Sequence, residues 1–258
     1  MKHVWEIVFS PTGGTKKVAD VLTQAVSEAI PEENVRFIDL TLASSHDEAA
    51  MEPDDLALLA VPSYGGRVPA VAVQRLTSLH GNGAKAVLVC VYGNRAYEDT
   101  LAEWQDAAKQ AGFCVVAAVA AVAEHSIARQ FAAGRPDDQD RQQLAAFGAS
   151  IREKWEKGDL HEPAIPGNRP YKKAGGVGMI PKPTRHCVAC GVCASQCPVQ
   201  AIDPKDPKQV DSGKCLSCMR CVAVCPHSAR KLNSVMLSAV GVALKKVCSD
   251  RKENELFL

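Results

Sequence analysis

The sequence predicts an α/β chain, a five-stranded parallel sheet wound on both faces by helices, with a small cysteine-rich domain behind it. Three observations carry that reading. Short apolar runs alternate with helix-period segments through residues 1–158, the rhythm of strand-helix-strand units. Eight of the eleven cysteines fall between Cys187 and Cys225. The chain has 258 residues and is 47% apolar, enough for one substantial core and a second, smaller domain.

The elements follow in order. "VWEIVFS" (residues 4–10) reads as a buried strand. "KKVADVLTQAVSEAI" sets Val18, Val21, Leu22, Ala25, Val26, Ala29 and Ile30 on one helix face. Residues 34–40 and 56–64 are the second and third strands. "PAVAVQRLTSLHG" is a helix stopped by glycine. Residues 85–93 are strand four, "YEDTLAEWQDAAKQAG" a helix and residues 114–122 strand five. A last helix opens on Pro-Asp-Asp and places Leu144, Phe147, Ile151 and Trp155 at helical spacing. This rhythm suits the order 2-1-3-4-5, whose ligands bind beyond the carboxyl ends of the strands, between strands one and three. Residues 159–183, rich in Gly and Pro, form a connector. Ile165, Tyr171, Val177, Met179 and Ile180 make it apolar enough to pack along a surface. Residues 184–232 are the cysteine domain. In residues 233–258, Val235, Leu237, Val240, Leu244 and Val247 predict a helix that docks back, and the tail "RKENELFL" either anchors or frays.

Thirty basic residues balance 29 acidic ones, so no basic excess points to nucleic acid or a membrane surface. The N-terminus runs straight into a strand, so no signal peptide is expected, and the longest apolar run, residues 113–123, is too short for a membrane span. The expected location is cytoplasmic, where clustered cysteines are metal ligands rather than disulfides.

The cysteines repeat one spacing, Cys187-x2-Cys190-x2-Cys193-x3-Cys197-Pro198 and Cys215-x2-Cys218-x2-Cys221-x3-Cys225-Pro226. In this bacterial ferredoxin run, three thiolates wrap one cubane and the fourth reaches the other. Cys187, Cys190, Cys193 and Cys225 are expected to hold one [4Fe–4S] cluster. Cys215, Cys218, Cys221 and Cys197 are expected to hold a second. The small residues Ala189, Gly191, Ala194 and Ser217 suit a backbone wrapped closely round sulfide. Zinc sites instead pair two knuckles across a longer gap. The segment resembles two-cluster bacterial ferredoxins over residues 184–232. Cys90 and Cys114 lie in apolar runs and read as buried free thiols, and Cys248 receives no role.

The loop after strand one is "SPTGGT". Ser10, Thr12 and Thr15 offer hydroxyls to a phosphate, while Gly13 and Gly14 let backbone N–H groups approach at a helix N-terminus. The P-loop and dinucleotide fingerprints are both absent. The pattern S/T-x-T-G-x-T resembles the flavodoxin phosphate loop and implies FMN. Two further loops fall where the flavin ring would lie. One supplies Pro62, Ser63, Tyr64 and Gly65, and the other Tyr92, Gly93, Asn94, Arg95 and Tyr97; Tyr64 and Tyr97 are candidates to stack on the ring. His125, after strand five, is a candidate for a flavin or proton role, with a structural histidine as the alternative.

The whole chain resembles fusions of a flavodoxin-like domain with a two-cluster ferredoxin domain. The fold class expected from that resemblance is α/β, a five-stranded parallel flavodoxin-like sheet plus a ferredoxin-like 2[4Fe–4S] domain. It implies electron transfer among FMN, two clusters and redox partner proteins. Two alternatives stay open, an FMN-dependent reductase of a small-molecule acceptor fed by the clusters, and a ferredoxin whose sheet is a flavin-free docking platform. No catalytic triad, hydrolase motif or NAD(P) fingerprint is present.

Overall fold

The computed structural model describes residues 2–43, 50–175 and 178–258. The first domain runs β1 (Val4–Val8), α1 (Gly14–Val26), β2 (Val35–Asp39), β3 (Leu56–Pro62), α2 (Ala70–Leu76), β4 (Lys85–Tyr92), α3 (Thr100–Gln110), β5 (Cys114–Val122) and α4 (Asp138–Glu156). Then come β6 (Lys182–Pro183), α5 (Val192–Ser195), α6 (Arg220–Ala223), β7 (Arg230–Lys231), α7 (Ser234–Cys248) and β8 (Glu255–Phe257).

The main sheet has the order β2-β1-β3-β4-β5-β8. The first five strands are parallel, in the order 2-1-3-4-5. Their alternation sorts two cores. In β3, Ala57, Leu59 and Val61 face α2 and α3, against Leu76, Leu101 and Trp104. Leu56, Leu58 and Ala60 face α1 and α4, against Val18, Leu22, Leu144 and Trp155. α4 starts on a capping box, Asp137 accepting from the Asp140 N–H and Asp140 from the Asp137 N–H, as its Pro-Asp-Asp opening predicts.

The sheet has six strands where five were expected. The sixth, β8, is the tail, antiparallel to Ala118–Ala120 of β5. Three residues carry no readable alternation, and their pairing partner lies far upstream. Buried polar groups hold the tail instead. Asn254 accepts from the Val122 N–H and donates to Asp140 and Gln143. Arg135, itself buried, forks onto Asp140 and donates to the Lys252 carbonyl. The tail is therefore anchored.

Three smaller expectations also change. α2 ends at Leu76, short of the glycine at 81. Cys114 is exposed because it opens β5 at the sheet rim, whereas Cys90 and Cys248 are buried. α7 docks through Val240 and Leu244 on Ala128 and Phe131, but Val235 and Val247 are exposed. The connector packs along α3: Arg169 pairs with Asp106, and Asp99 accepts from the Asn168 and Lys172 N–H groups. Met179 is buried, and Val177 lies outside the described residues. No helix among the described residues is long and apolar enough to cross a membrane.

Candidate functional site

The carboxyl ends of the parallel strands face the cysteine domain. Two arginines tie the parts together. Arg75 on α2 donates to the Leu40 and Thr41 carbonyls, both at 2.7 Å, and to the Pro198 carbonyl at 2.6 Å. Arg220, beside Cys221, donates to the Pro11 carbonyl in the loop after β1 at 3.2 Å. The switch point of the sheet and the cysteine loops thus share one interface.

The eight clustered cysteines divide into two groups. Cys187, Cys190, Cys193 and Cys225 line one cavity. Cys197, Cys215, Cys218 and Cys221 line another. Each group takes three thiols from one repeat and the fourth from the other. The thiols border a cavity rather than meet at a point, and among the described residues no three His, Cys, Asp or Glu groups converge on a single ion. That spacing suits a cluster, where each thiolate takes its own iron. Backbone N–H groups donate to sulfur in matching positions, Ala201 to Cys197 and Ala229 to Cys225, both at 3.3 Å. Burial pushes Cys218 up to about 11 and Cys221 up to about 12, with Arg230 offsetting part of the effect at Cys221. A thiolate buried this way needs a metal centre to stabilise it.

The loop after β1 opens directly into α1. Gly13 takes the left-handed conformation (φ 88°) at the N-cap and brings no side chain to cap the helix. The Gly14 and Thr15 amides of the first turn are left to a ligand. Ser10 Oγ accepts from the Lys16 N–H, so Ser10 shapes the loop from behind. Thr12, Gly14 and Thr15 line a cleft with Pro62, Ser63, Tyr64, Tyr92, Gly93, Ala123, Glu124 and Ser126. Gly93 is required there, because a Cβ would stand 2.7 Å from the His125 ring. Burial, then the neighbouring Cys218, push the Tyr64 phenol well above its ordinary pKa.

The other candidates sit elsewhere. Asn94 is buried and donates to the Cys248 and Asp250 carbonyls, both at 2.8 Å. Arg95 forks onto Glu98. Tyr97 packs edge-on against Tyr92 and donates to Glu255 of β8 at 2.9 Å. His125 Nδ1 accepts from the Ile127 and Ala128 N–H groups, and burial lowers its pKa, keeping the ring neutral. Gly65 turns at the rim with φ 62°. Ser126, beside His125, lines the cleft, and so does Glu124, which sequence reasoning missed. Burial alone would raise the pKa of Glu124, but Arg129 and the Gly134 N–H outweigh it and hold the group anionic.

A larger cavity of about 530 Å³ continues from the cleft. Thr12, Gly14 and Ser126 line it from the sheet side, and Met219, Val222 and Cys225 from the cysteine side. The first cysteine group therefore borders the space beside the α1 N-terminus.

Residues 186–229 match the 4Fe–4S dicluster domain. A 63-residue stretch is 35% identical to the trichloroethene reductive dehalogenase of Dehalococcoides mccartyi, covering 19% of this chain and 11% of that enzyme. Among solved structures, the Megasphaera elsdenii flavodoxin is 21% identical over 57% of this chain and 98% of its own, with a TM-score of 0.39. A flavodoxin from the domain Archaea is 15% identical over 60% and 99%, with a TM-score of 0.40. An NADH:FMN oxidoreductase is 16% identical over 60% and 90%, with a TM-score of 0.43. The flavodoxin-like assignment rests on the strand order itself. The chain joins a flavodoxin-like sheet to a 4Fe–4S dicluster domain, a combination that supports a redox role.

Proposed function

We propose that this chain is an iron–sulfur flavoprotein that passes electrons between two [4Fe–4S] clusters and FMN, and onward to redox partner proteins. The observation that carries the reading is the shared cavity, with Thr12 and Gly14 at the α1 N-terminus on one wall and Cys225 on the other. The residues fit both groups. The crossed cysteine sets surround two cavities, and the cleft offers hydroxyls, free amides and two tyrosines. When bound, clusters exchange single electrons and FMN one or two, so together they join one-electron to two-electron chemistry.

The chain's own residues supply the arrangement. Thr12, Thr15 and the first turn of α1 receive the phosphate; Tyr64 and Tyr92 flank the ring. The proposed limits are 1–158 for the flavin domain, 159–183 for the packed connector, 184–232 for the clusters and 233–258 for the C-terminal helix and tail. A second reading, reduction of a small acceptor, is favoured by the 530 Å³ cavity, whose lining carries Lys17 and Lys231 beside the Arg129–Glu124 pair, a net positive set that suits an anion.

The test is cofactor analysis of anaerobically purified protein. About eight iron, eight sulfide and one FMN per chain are expected. Zinc in place of iron, or a protein that binds riboflavin as tightly as FMN, sinks the corresponding half of the reading. Steady turnover with an anionic two-electron acceptor would establish the reductase.

A further inference from the structure

Arg230 stands where no surface residue would. Only 3% of it is exposed, and it borders both cysteine-lined cavities. It follows Cys225 by five residues and is fixed at β7, opposite Pro183 of β6. Nη1 donates to the Pro207 carbonyl at 2.7 Å and to Cys193 Sγ at 3.4 Å. Nε and Nη2 are buried and have no hydrogen-bond partner in the protein. No carboxylate is paired with it among the ion pairs of the described residues. A guanidinium stays charged when buried, and leaving it unpaired is costly by several kcal/mol. Such a group persists only if something anionic fills the space beside it.

We infer that Arg230 is the shared electrostatic partner of both cluster sites, donating hydrogen bonds to sulfur on each side and setting the two reduction potentials as a pair. This rests on the two-cluster reading above. A [4Fe–4S] centre with four thiolates is anionic and gains one more negative charge on reduction. A cation held between two such centres favours the reduced form of each. Hydrogen bonds to cluster sulfurs act in the same direction. One side chain thereby raises the two potentials together.

The experiment compares holoprotein of wild type, Arg230→Gln and Arg230→Lys by redox titration, following the clusters by electron paramagnetic resonance and the flavin by absorbance. In Arg230→Gln, the reduction equilibrium of each cluster should fall about tenfold or more, which is 59 mV per tenfold for one electron. Arg230→Lys keeps the charge and loses the fork, so its shift should be smaller. Arg230 also lines the cavity at the α1 N-terminus, so the flavin potential should shift too, but by less than either cluster's. Unchanged cluster potentials in an iron-replete Arg230→Gln protein overturn the inference, as does a shift confined to one cluster. If Arg230→Gln does not assemble its clusters, wild type labelled with 15N-arginine decides. A guanidinium N–H signal shifted by the cluster iron and lost in Arg230→Lys is expected. Absence of any such signal overturns the proposal. Wild type that fails to take up two clusters would sink the two-cluster reading instead.

Discussion

The two halves of this molecule are held together by different means. The sheet domain buries two continuous apolar cores, one on each face, with Trp104, Phe9, Leu22 and Leu88 fully covered. The cysteine domain buries little beyond Ala194, Ala201, Ile202, Met219 and Ala229. Its regular structure is two one-turn helices and a two-residue ladder. So few apolar side chains cannot offset the conformational entropy of nearly fifty residues. The lesson is that the cysteine domain depends on thiolate ligation where the sheet domain has an apolar core.

The comparison breaks most sharply if iron is removed. Chelation under anaerobic conditions should unfold residues 184–232 while β1–β5 keep their amide protection. Structural metal sites contribute on the order of 10 kcal/mol. Protection retained in residues 184–232 without iron would show an apolar core sufficient after all.

The next test is within the sheet domain, where Asp140 is the buried anion of the tail network. Asp140→Asn should cost about 3–5 kcal/mol, because Arg135 is left buried without its partner. Burial alone would raise the pKa of Asp140, but the Arg135 fork, the Asp137 N–H group and Asn254 lower it further than burial raises it. Its contribution is thus complete above the ordinary carboxylate range and is lost as pH falls through the depressed native value. Urea midpoints between pH 5 and pH 2 should fall steeply in wild type and less in the variant. Equal slopes would remove Asp140 from the acid response.

Smaller effects sharpen the contrast between the loops. Thr12→Ala should weaken FMN by about 1.5–3 kcal/mol, measured by fluorescence titration, with riboflavin little affected. Parallel losses for both ligands would move the phosphate elsewhere. Smallest of all, Tyr97→Phe should cost about 0.5–1.5 kcal/mol of stability and speed amide exchange in β8, with FMN affinity unchanged. A large loss of FMN affinity would return Tyr97 to the flavin.

The alternating runs of the sheet were readable because each strand and helix declares its own period, and the 4Fe–4S dicluster domain because its cysteine spacing is local. The loop after β4 shows where such reading stops. Asn94, Arg95 and Tyr97 follow a strand that ends at the site, yet Asn94 and Tyr97 bond to a tail about 155 residues away and Arg95 turns back on Glu98. The loop after β3 has a similar composition, but its Tyr64 lines the cleft. Local chemistry was the same; the long-range partner decided. Arg230 escaped notice for a related reason, since a lone arginine after a ligand run reads as surface until its burial is known.

The return of the chain to β8 has a consequence for synthesis. The edge of β5 at Ala118–Ala120 is made early, but the strand that covers it lies more than 130 residues later, beyond the entire cysteine segment. At roughly 5–20 residues per second on the ribosome, that edge waits on the order of ten seconds for its cover. In that interval β5 presents a nearly all-apolar edge, the kind of strand to which other nascent chains add. The sheet is sealed only after the cysteine segment has been translated, so the chain acquires its last strand after everything that iron must organise has emerged.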